Sequence, residues 1–181
     1  MKSVVLVKLK LLSVVRITND AEGKVLVGLL QIDKGRKAEK DGVNKILKEM
    51  LGYTPILQHN EDGKPIMGGY NISITHTIGF VAVILSREYE VGIDIEFVSS
   101  RVKRVQSRFL RDDEIMADVT DMLITWCAKE TMYKLCSSEH LALKDILVKP
   151  KLRLVTNLRS SLTLSFKCEC NANYVLTYVW K

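Results

Sequence analysis

Apolar side chains occupy every second position along residues 91–97, which read Val-Gly-Ile-Asp-Ile-Glu-Phe. A period of two is typical of a β-strand with one buried face. The pattern therefore predicts a half-buried strand whose opposite face carries the carboxylates of Asp94 and Glu96. Because residues two apart lie roughly 6.5 Å apart along a strand, we expect both side chains to be able to bind one hard cation together.

Helical spacing of apolar residues is found in two other stretches. The first is an i, i+3, i+4, i+7, i+8 stripe, which predicts a helix made amphipathic by Val43, Ile46, Leu47, Met50 and Leu51. Gly52 and Pro55 predict its end. The second helix is predicted at about residues 121–136, where Glu130 and Lys134 share one face.

The remaining pattern predicts strands on both sides of these helices, and a basic, helical region at residues 100–117. The predicted strands are residues 1–18, 24–32, 71–75, 80–86, 151–156, 160–168 and 173–180, with turns at 19–23, 61–65 and 171–173. Each half of the chain thus combines one long amphipathic helix with several strands. This order predicts an α+β fold.

Length and composition limit the alternatives. A chain of 181 residues with 47% hydrophobic content can bury a core as one domain or as two small, closely packed halves. Its four cysteines do not indicate a secreted disulfide framework. Cys168 and Cys170 have no second Cys or His pair at zinc-ligand spacing. Charged residues interrupt the apolar N-terminus, so we interpret it as a strand rather than a signal peptide.

The net charge of +6 favours an anionic partner, which could be a nucleic acid, a polyphosphate cofactor or an acidic protein. Nucleic-acid binding receives little support, because the basic residues are not interleaved with stacking aromatic residues. No apolar stretch approaches the roughly 20 residues that a membrane span requires. We therefore expect a cytoplasmic protein with no membrane partner.

Asp94, Glu96 and Glu130 form a candidate Mg²⁺ site. Two carboxylates from a strand and one from a helix would leave coordination positions open for phosphate oxygens. The ordinary alternative is a solvated strand face next to a surface pair of Glu130 and Lys134, which would contribute about 0.3–0.5 kcal/mol.

The sequence around these acids resembles the two signatures of the 4′-phosphopantetheinyl transferase superfamily. The signatures are Val-Gly-Ile-Asp-Ile-Glu at 91–96 and Trp-Cys-Ala-Lys-Glu-Thr-Met-Tyr-Lys at 126–134. Residues 71–83 are similar to the family's Ser-His-Ser strand and turn, and residues 108–114 to its Phe-x-x-x-x-Glu segment. The matches occur in family order and span about residues 60–135.

The resemblance is to the larger, single-chain type that activates surfactin synthetase, and it implies a pseudo-two-fold pair of similar α/β halves. Each half would pack a long helix on a small, mostly antiparallel sheet. Residues 1–88 would bind the 3′-phosphate and adenine of coenzyme A, and residues 89–181 would hold Mg²⁺ and the catalytic groups. Such a protein is expected to be one compact unit and a monomer.

The reaction implied by the resemblance is transfer of 4′-phosphopantetheine from coenzyme A to a serine of an acidic acyl or peptidyl carrier protein. Asp94, Glu96 and Glu130 would hold Mg²⁺ against the pyrophosphate. Glu130, or a metal-bound water beside it, is the candidate base. Lys134 would neutralise the phosphates and the departing oxygen.

The family pattern also implies a set of coenzyme A contacts. The candidates are His76, Thr75, Lys64, Arg36, Lys37, Lys40, Lys45 and Lys129. For several of them an ordinary structural role, such as a solvated helix end or a turn, explains the sequence equally well. Asn44 stands where the family usually has an arginine that contacts the 3′-phosphate, and a neutral amide would weaken that contact.

Two alternatives to an active transferase remain open at this stage. One is a non-catalytic paralogue that binds coenzyme A or a carrier protein, favoured by Asn44 and by the threonines beside His76. The other is a generic Mg²⁺-dependent phosphohydrolase. An apolar strip near Phe109, Leu110, Ile115 and Met116 could contact a carrier helix, but these residues could equally belong to the core.

Overall fold

The computed structural model describes residues 14–116 and 118–181. The first part of the strand predicted at residues 1–18 lies outside these ranges. Within them the chain is a mixed α+β protein with three α-helices and four antiparallel sheets. None of these helices combines the length and the apolar character that crossing a bilayer requires.

The first half is a four-stranded sheet covered by one helix. Its strands are β1 (Arg16–Asp20), β2 (Val25–Gln31), β5 (Asn71–Thr77) and β6 (Phe80–Ser86), and their order is β1-β2-β6-β5. A short hairpin, β3 (Gln58–His59) and β4 (Pro65–Ile66), precedes β5. The helix α1 (Arg36–Leu51) buries Val43, Ile46 and Leu47 and ends at Gly52, whose φ is +78°. The amphipathic helix predicted from the apolar stripe is therefore confirmed.

The second half contains two three-stranded sheets and two helices. The strand β7 (Val91–Phe97) forms one edge of the order β11-β12-β7, with β11 (Lys167–Cys170) and β12 (Tyr174–Trp180). The other sheet has the order β10-β9-β8 and consists of β8 (Ile146–Lys149), β9 (Leu154–Asn157) and β10 (Leu162–Ser165). Helices α2 (Val102–Phe109) and α3 (Val119–Leu135) complete this half.

Hydrogen bonds and an apolar layer join the halves. Thr75 and Thr77 of β5 accept hydrogen bonds through their hydroxyl oxygens from the backbone N–H groups of Ile95 and Phe97, at 3.3 and 3.0 Å. Both bonds span 20 residues, so β5 and β7 run parallel here. An apolar layer lies between the sheet of the first half and the β11-β12-β7 sheet. It is formed by side chains of β2, β6, β7 and β12. Burial of this layer stabilises the two halves as one unit.

The strand β7 differs from the prediction in one respect that matters for function. Alternation predicted a face open to water, but residues 91–95 are all buried and Asp94 is only 5% exposed. The apolar face contacts the core layer, and α3 covers the polar face. The period of two was correct, but it could not reveal the helix above the acids.

The C-terminal strands were predicted less accurately. The segment predicted as one strand at 160–168 is divided into β10 and β11 at Phe166, whose side chain is buried. The predicted strand at 151–156 begins only at Leu154, after a 3₁₀ turn at Pro150–Leu152, and β8 was not predicted. The hairpin closing at 171–173 is confirmed by the pairing of β11 with β12.

The close approach of α3 to β7 predicts a sharp response to substitution at Gly92. A Cβ atom there would lie 2.3 Å from the Thr131 carbonyl oxygen, so the backbones would have to separate. We expect Gly92→Ala to lower the free energy of unfolding by about 1–3 kcal/mol in urea denaturation. Gly68→Ala is the matched control, because no atom lies within 4 Å of its Cβ position. Equal stability of the two variants would contradict the close contact.

Candidate active site

The candidate site lies where α3 runs antiparallel along β7. Trp126 Nε1 donates to Glu96 Oε1 at 2.7 Å, and the Cys127 thiol donates to the main-chain carbonyl of Asp94 at 3.2 Å. Toward the end of the helix, Lys134 Nζ donates to Asp94 Oδ1 at 2.6 Å. The middle and the end of α3 are thus fixed to Asp94 and Glu96 of β7. Consequently, the helix carries Glu130 to the two strand carboxylates.

Asp94 is the most unusual group in this cluster. Its Oδ1 accepts hydrogen bonds from Thr75 Oγ1 at 2.9 Å and from Lys134 Nζ at 2.6 Å. Its Oδ2 is buried and has no hydrogen-bond partner in the described part of the chain. A buried carboxylate oxygen without a partner is costly, and such groups commonly mark the place of an ion or an ordered water.

The electrostatics show that the three carboxyl groups act on one another. Burial raises the pKa of Glu96 to about 7, and the charge of Asp94 adds to the shift, while the hydrogen bond from Trp126 opposes it. Burial also raises the pKa of Glu130, again with a contribution from Asp94. The charge of Lys134 opposes both shifts. Near neutral pH the cluster therefore lacks enough positive charge to keep every carboxylate ionised.

These properties fit a divalent cation. Among the described residues, no three His, Cys, Asp or Glu side chains already stand in a metal-coordinating arrangement. The free Asp94 Oδ2 and the raised pKa values of Glu96 and Glu130 indicate a site that a hard cation with oxygen ligands would stabilise.

Trp126 has a double role. Its ring packs edge-on against Phe109 at the end of α2, with a centroid distance of 4.9 Å. Its indole N–H also fixes the Glu96 carboxylate. Periodicity gives no signal for such a bond, because it depends on the distance between α3 and β7.

Lys129 does not fit its predicted contact with coenzyme A. Its side chain is 0% exposed, and Nζ donates to Glu114 Oε2 at 2.5 Å and to the carbonyl of Phe109 at 2.8 Å. Glu114 in turn accepts from the backbone N–H groups of Arg111 and Val148. The pair therefore fastens the segment after α2 and the start of the next sheet to α3. The physical reason is its position on the helix face that points into the core.

Thr75 likewise differs from the prediction. Its side chain is 5% exposed, and its hydroxyl is engaged by Asp94 and by the N–H of Ile95. It therefore has no free donor for a coenzyme A phosphate.

His76 lines a cavity of about 340 Å³. The loop before α1 and the turn after β5 form the other walls of this cavity. His76 Nδ1 is 3.6 Å from Glu39 Oε1 on the first turn of α1. Arg36 and Lys40 are exposed on the same part of that helix. Lys37 is exposed as well, but it forms an ion pair with Asp41 at 2.6 Å.

The other cofactor candidates lie farther along the fold. Asn44 is exposed on α1, and its neighbour Lys45 is half-buried and engaged in an interaction of its own. Lys64 lines a separate cavity of about 240 Å³ beside the start of β7 and the end of α3, together with Tyr70 and Leu135. Whether these residues contact coenzyme A stays a prediction.

A cavity of about 480 Å³ opens beside Glu96 and Trp126. Its wall includes Arg101 and Arg104 of the α2 region and Phe97 at the end of β7. The predicted apolar strip near α2 is divided by the fold. Its four members differ in exposure, because Phe109 is fully buried, Leu110 and Met116 are half-buried and Ile115 is 91% exposed.

Similarity to known proteins does not identify this site. The chain matches no protein-family model and no curated protein sequence. The relationship to phosphopantetheinyl transferases therefore stays a prediction from the two acidic signatures. What the cluster can do follows from its chemistry.

The raised pKa of Glu96 predicts a pH-dependent stability. Above pH 7 its buried charge destabilises the folded, metal-free protein. Between pH 7 and about pH 4.5 the folded state binds a proton that the unfolded state does not, so this cost shrinks steadily as the pH falls. We therefore expect Glu96→Gln to raise the free energy of unfolding at pH 8 by up to about 3 kcal/mol, with the gain shrinking toward pH 5. Urea denaturation in EDTA checks this. A gain that is constant from pH 5 to 8 would disprove it.

Burial of the Lys129–Glu114 pair predicts a large structural cost when one partner is removed. Lys129→Met leaves the Glu114 carboxylate buried and unpaired, so we expect a loss of about 3–5 kcal/mol in the free energy of unfolding. Lys37→Met is the matched control. It breaks an ion pair of similar length, 2.6 against 2.5 Å, but one that is exposed, and it should cost less than about 1 kcal/mol. Chemical denaturation of both variants gives the comparison.

Proposed function

We propose that this protein transfers 4′-phosphopantetheine from coenzyme A to a serine of an acyl or peptidyl carrier protein. The observation that carries the proposal is the buried Oδ2 of Asp94, which has no hydrogen-bond partner among the described residues and lies within a cluster of three interacting carboxyl groups. A surface salt bridge or a solvated strand face would not bury such an oxygen. The ordinary alternative for the acidic residues is therefore disfavoured.

In this proposal Asp94, Glu96 and Glu130 hold Mg²⁺. The ion, when bound, would neutralise charge on the pyrophosphate and keep the carboxylates ionised. Glu130, or a metal-bound water beside it, is the candidate base for the carrier serine, because its carboxylate belongs to the same cluster as the proposed metal ligands. Lys134, already paired with Asp94, is close enough to the cluster to stabilise negative charge on a departing phosphate.

We call the contact between β5 and β7, formed by Thr75 and Thr77 with Ile95 and Phe97, the seam between the halves. The cofactor would lie along this seam. His76, Arg36 and Lys40 surround the start of α1 in the first half and offer positive charge and hydrogen-bond donors to phosphates. The acidic cluster belongs to the second half. Residues 1–88 would thus bind the nucleotide end of coenzyme A and residues 89–181 the reacting end, in a pseudo-two-fold arrangement. Because one chain would contribute both halves of the site, we expect a monomer. We also expect a cytoplasmic enzyme, because the four cysteines do not indicate a secreted disulfide framework.

The carrier protein would approach from the side of α2. This helix, Val-Lys-Arg-Val-Gln-Ser-Arg-Phe, contains three basic residues and no acidic one, and Arg101 and Arg104 border the cavity beside Glu96. An acidic partner helix would be attracted to such a surface. The opening beside Glu96 would give the carrier serine access to the reacting groups.

The direct test is incubation with coenzyme A, Mg²⁺ and a panel of apo carrier proteins. We expect at least one carrier to gain the mass of the phosphopantetheine arm in mass spectrometry. Glu130→Gln should slow the transfer about 100-fold or more, because it removes the base and a metal ligand. Glu49→Gln, an exposed glutamate on α1, should have no effect.

The other outcomes separate the alternatives. Binding of coenzyme A without transfer to any carrier would support a non-catalytic protein. Steady release of adenosine 3′,5′-bisphosphate without an acceptor would support a phosphohydrolase. Absence of Mg²⁺ binding to the folded protein would exclude the proposed site itself.

A further inference from the structure

Thr75 has a hydrogen-bonding geometry that leaves little freedom to its hydroxyl. The side chain is 5% exposed on β5, in the first half of the chain. Its oxygen accepts from the N–H of Ile95 at 3.3 Å and lies 2.9 Å from Asp94 Oδ1. A hydroxyl has a single proton to donate. Since the backbone N–H supplies its own proton, the Thr75 proton is directed at the carboxylate.

The two oxygens of Asp94 are consequently unequal. Oδ1 accepts hydrogen bonds from Thr75 Oγ1 at 2.9 Å and from Lys134 Nζ at 2.6 Å. Oδ2 accepts no hydrogen bond from the described residues. A carboxylate is free to rotate about its last torsion unless its oxygens are fixed. Lys134 has a long side chain that is 27% exposed, and its ammonium also donates to the Ile93 carbonyl at 3.2 Å. Thr75 is β-branched and buried, and it is therefore the more rigid of the two donors.

We propose that Thr75 is a positioning residue of the metal site. Its hydroxyl holds Oδ1 of Asp94 and thereby reserves Oδ2 as the oxygen that binds the cation. This inference rests on the proposed function, because it assigns a role to Thr75 within the same Mg²⁺ site. It also makes the seam between the halves part of the site, since Thr75 and Asp94 belong to different halves.

The same strand provides a matched control. Thr77 stands two residues along β5, on the same face, and its hydroxyl accepts from the N–H of Phe97 at 3.0 Å. Among the hydrogen bonds of the described residues, that hydroxyl makes none to a carboxylate. Replacing Thr77 therefore removes a contact across the seam without touching Asp94. Any effect of the seam alone should be common to both threonines.

The experiment measures divalent-ion binding to the full-length, metal-free protein, with no substrate present. Mn²⁺ serves as the probe in electron paramagnetic resonance, and Mg²⁺ in calorimetry. The variants are Thr75→Val, Thr75→Ser and Thr77→Val. We expect Thr75→Val to weaken binding about 10-fold or more, because Asp94 loses its fixed orientation. Thr75→Ser should stay within about threefold of the wild type, since it keeps the hydroxyl, and Thr77→Val should bind like the wild type.

Each outcome has a definite meaning. Wild-type affinity in Thr75→Val, or an equal loss in Thr75→Ser, would overturn the positioning role and leave the proposed function intact. An equal loss in Thr77→Val would also overturn it, because the effect would then belong to the seam. If the wild-type protein itself binds neither ion, the proposed function fails, and the role of Thr75 fails with it. Should Thr75→Val not fold, Thr75→Cys replaces it as a variant of similar size with a weaker donor.

Discussion

The direct packing of α3 on β7 is the contact on which the structure of the candidate site depends. Gly92 lets the helix backbone approach the strand, because a side chain there would overlap the Thr131 carbonyl oxygen. For this reason Asp94 is buried and Glu96 is half-buried. Burial raises the pKa values of Glu96 and Glu130, and one oxygen of Asp94 has no hydrogen-bond partner in the part of the chain that the structure describes. The chemistry of the cluster is thus a consequence of helix–strand distance.

Two lysines on α3 illustrate how environment separates structural from functional charge. Lys129 is fully buried, and its ammonium is surrounded by Glu114 and main-chain carbonyls, so its charge is satisfied within the core. Lys134 is 27% exposed and pairs with Asp94. The other oxygen of that carboxylate, Oδ2, has no hydrogen-bond partner among the described residues. Removing one partner of the buried Lys129–Glu114 pair would leave an uncompensated charge in the core. The Lys134–Asp94 pair is partly exposed, so its charges can form new contacts when a ligand binds.

The seam between β5 and β7 is a second contact that affects the acidic cluster. Threonine hydroxyls, rather than a continuous ladder of backbone bonds, connect the parallel strands. One of these hydroxyls also reaches the acidic cluster. Residues of the first half can therefore influence the groups of the second half through a single buried side chain. His76, the next residue on β5, lies beside that connection.

The sequence by itself determined the local elements and the identity of the acids. The stripe of α1, its end at Gly52 and the alternation of β7 are periodic signals, and each depends only on neighbouring residues. The tertiary structure decided the rest: that β7 is covered, that Lys129 points into the core, and that Thr75 serves Asp94 instead of a phosphate. These features depend on distances between residues 15 to 41 positions apart, where no local pattern carries information. Burial and pairing of charge follow from packing, and packing is a property of the whole chain.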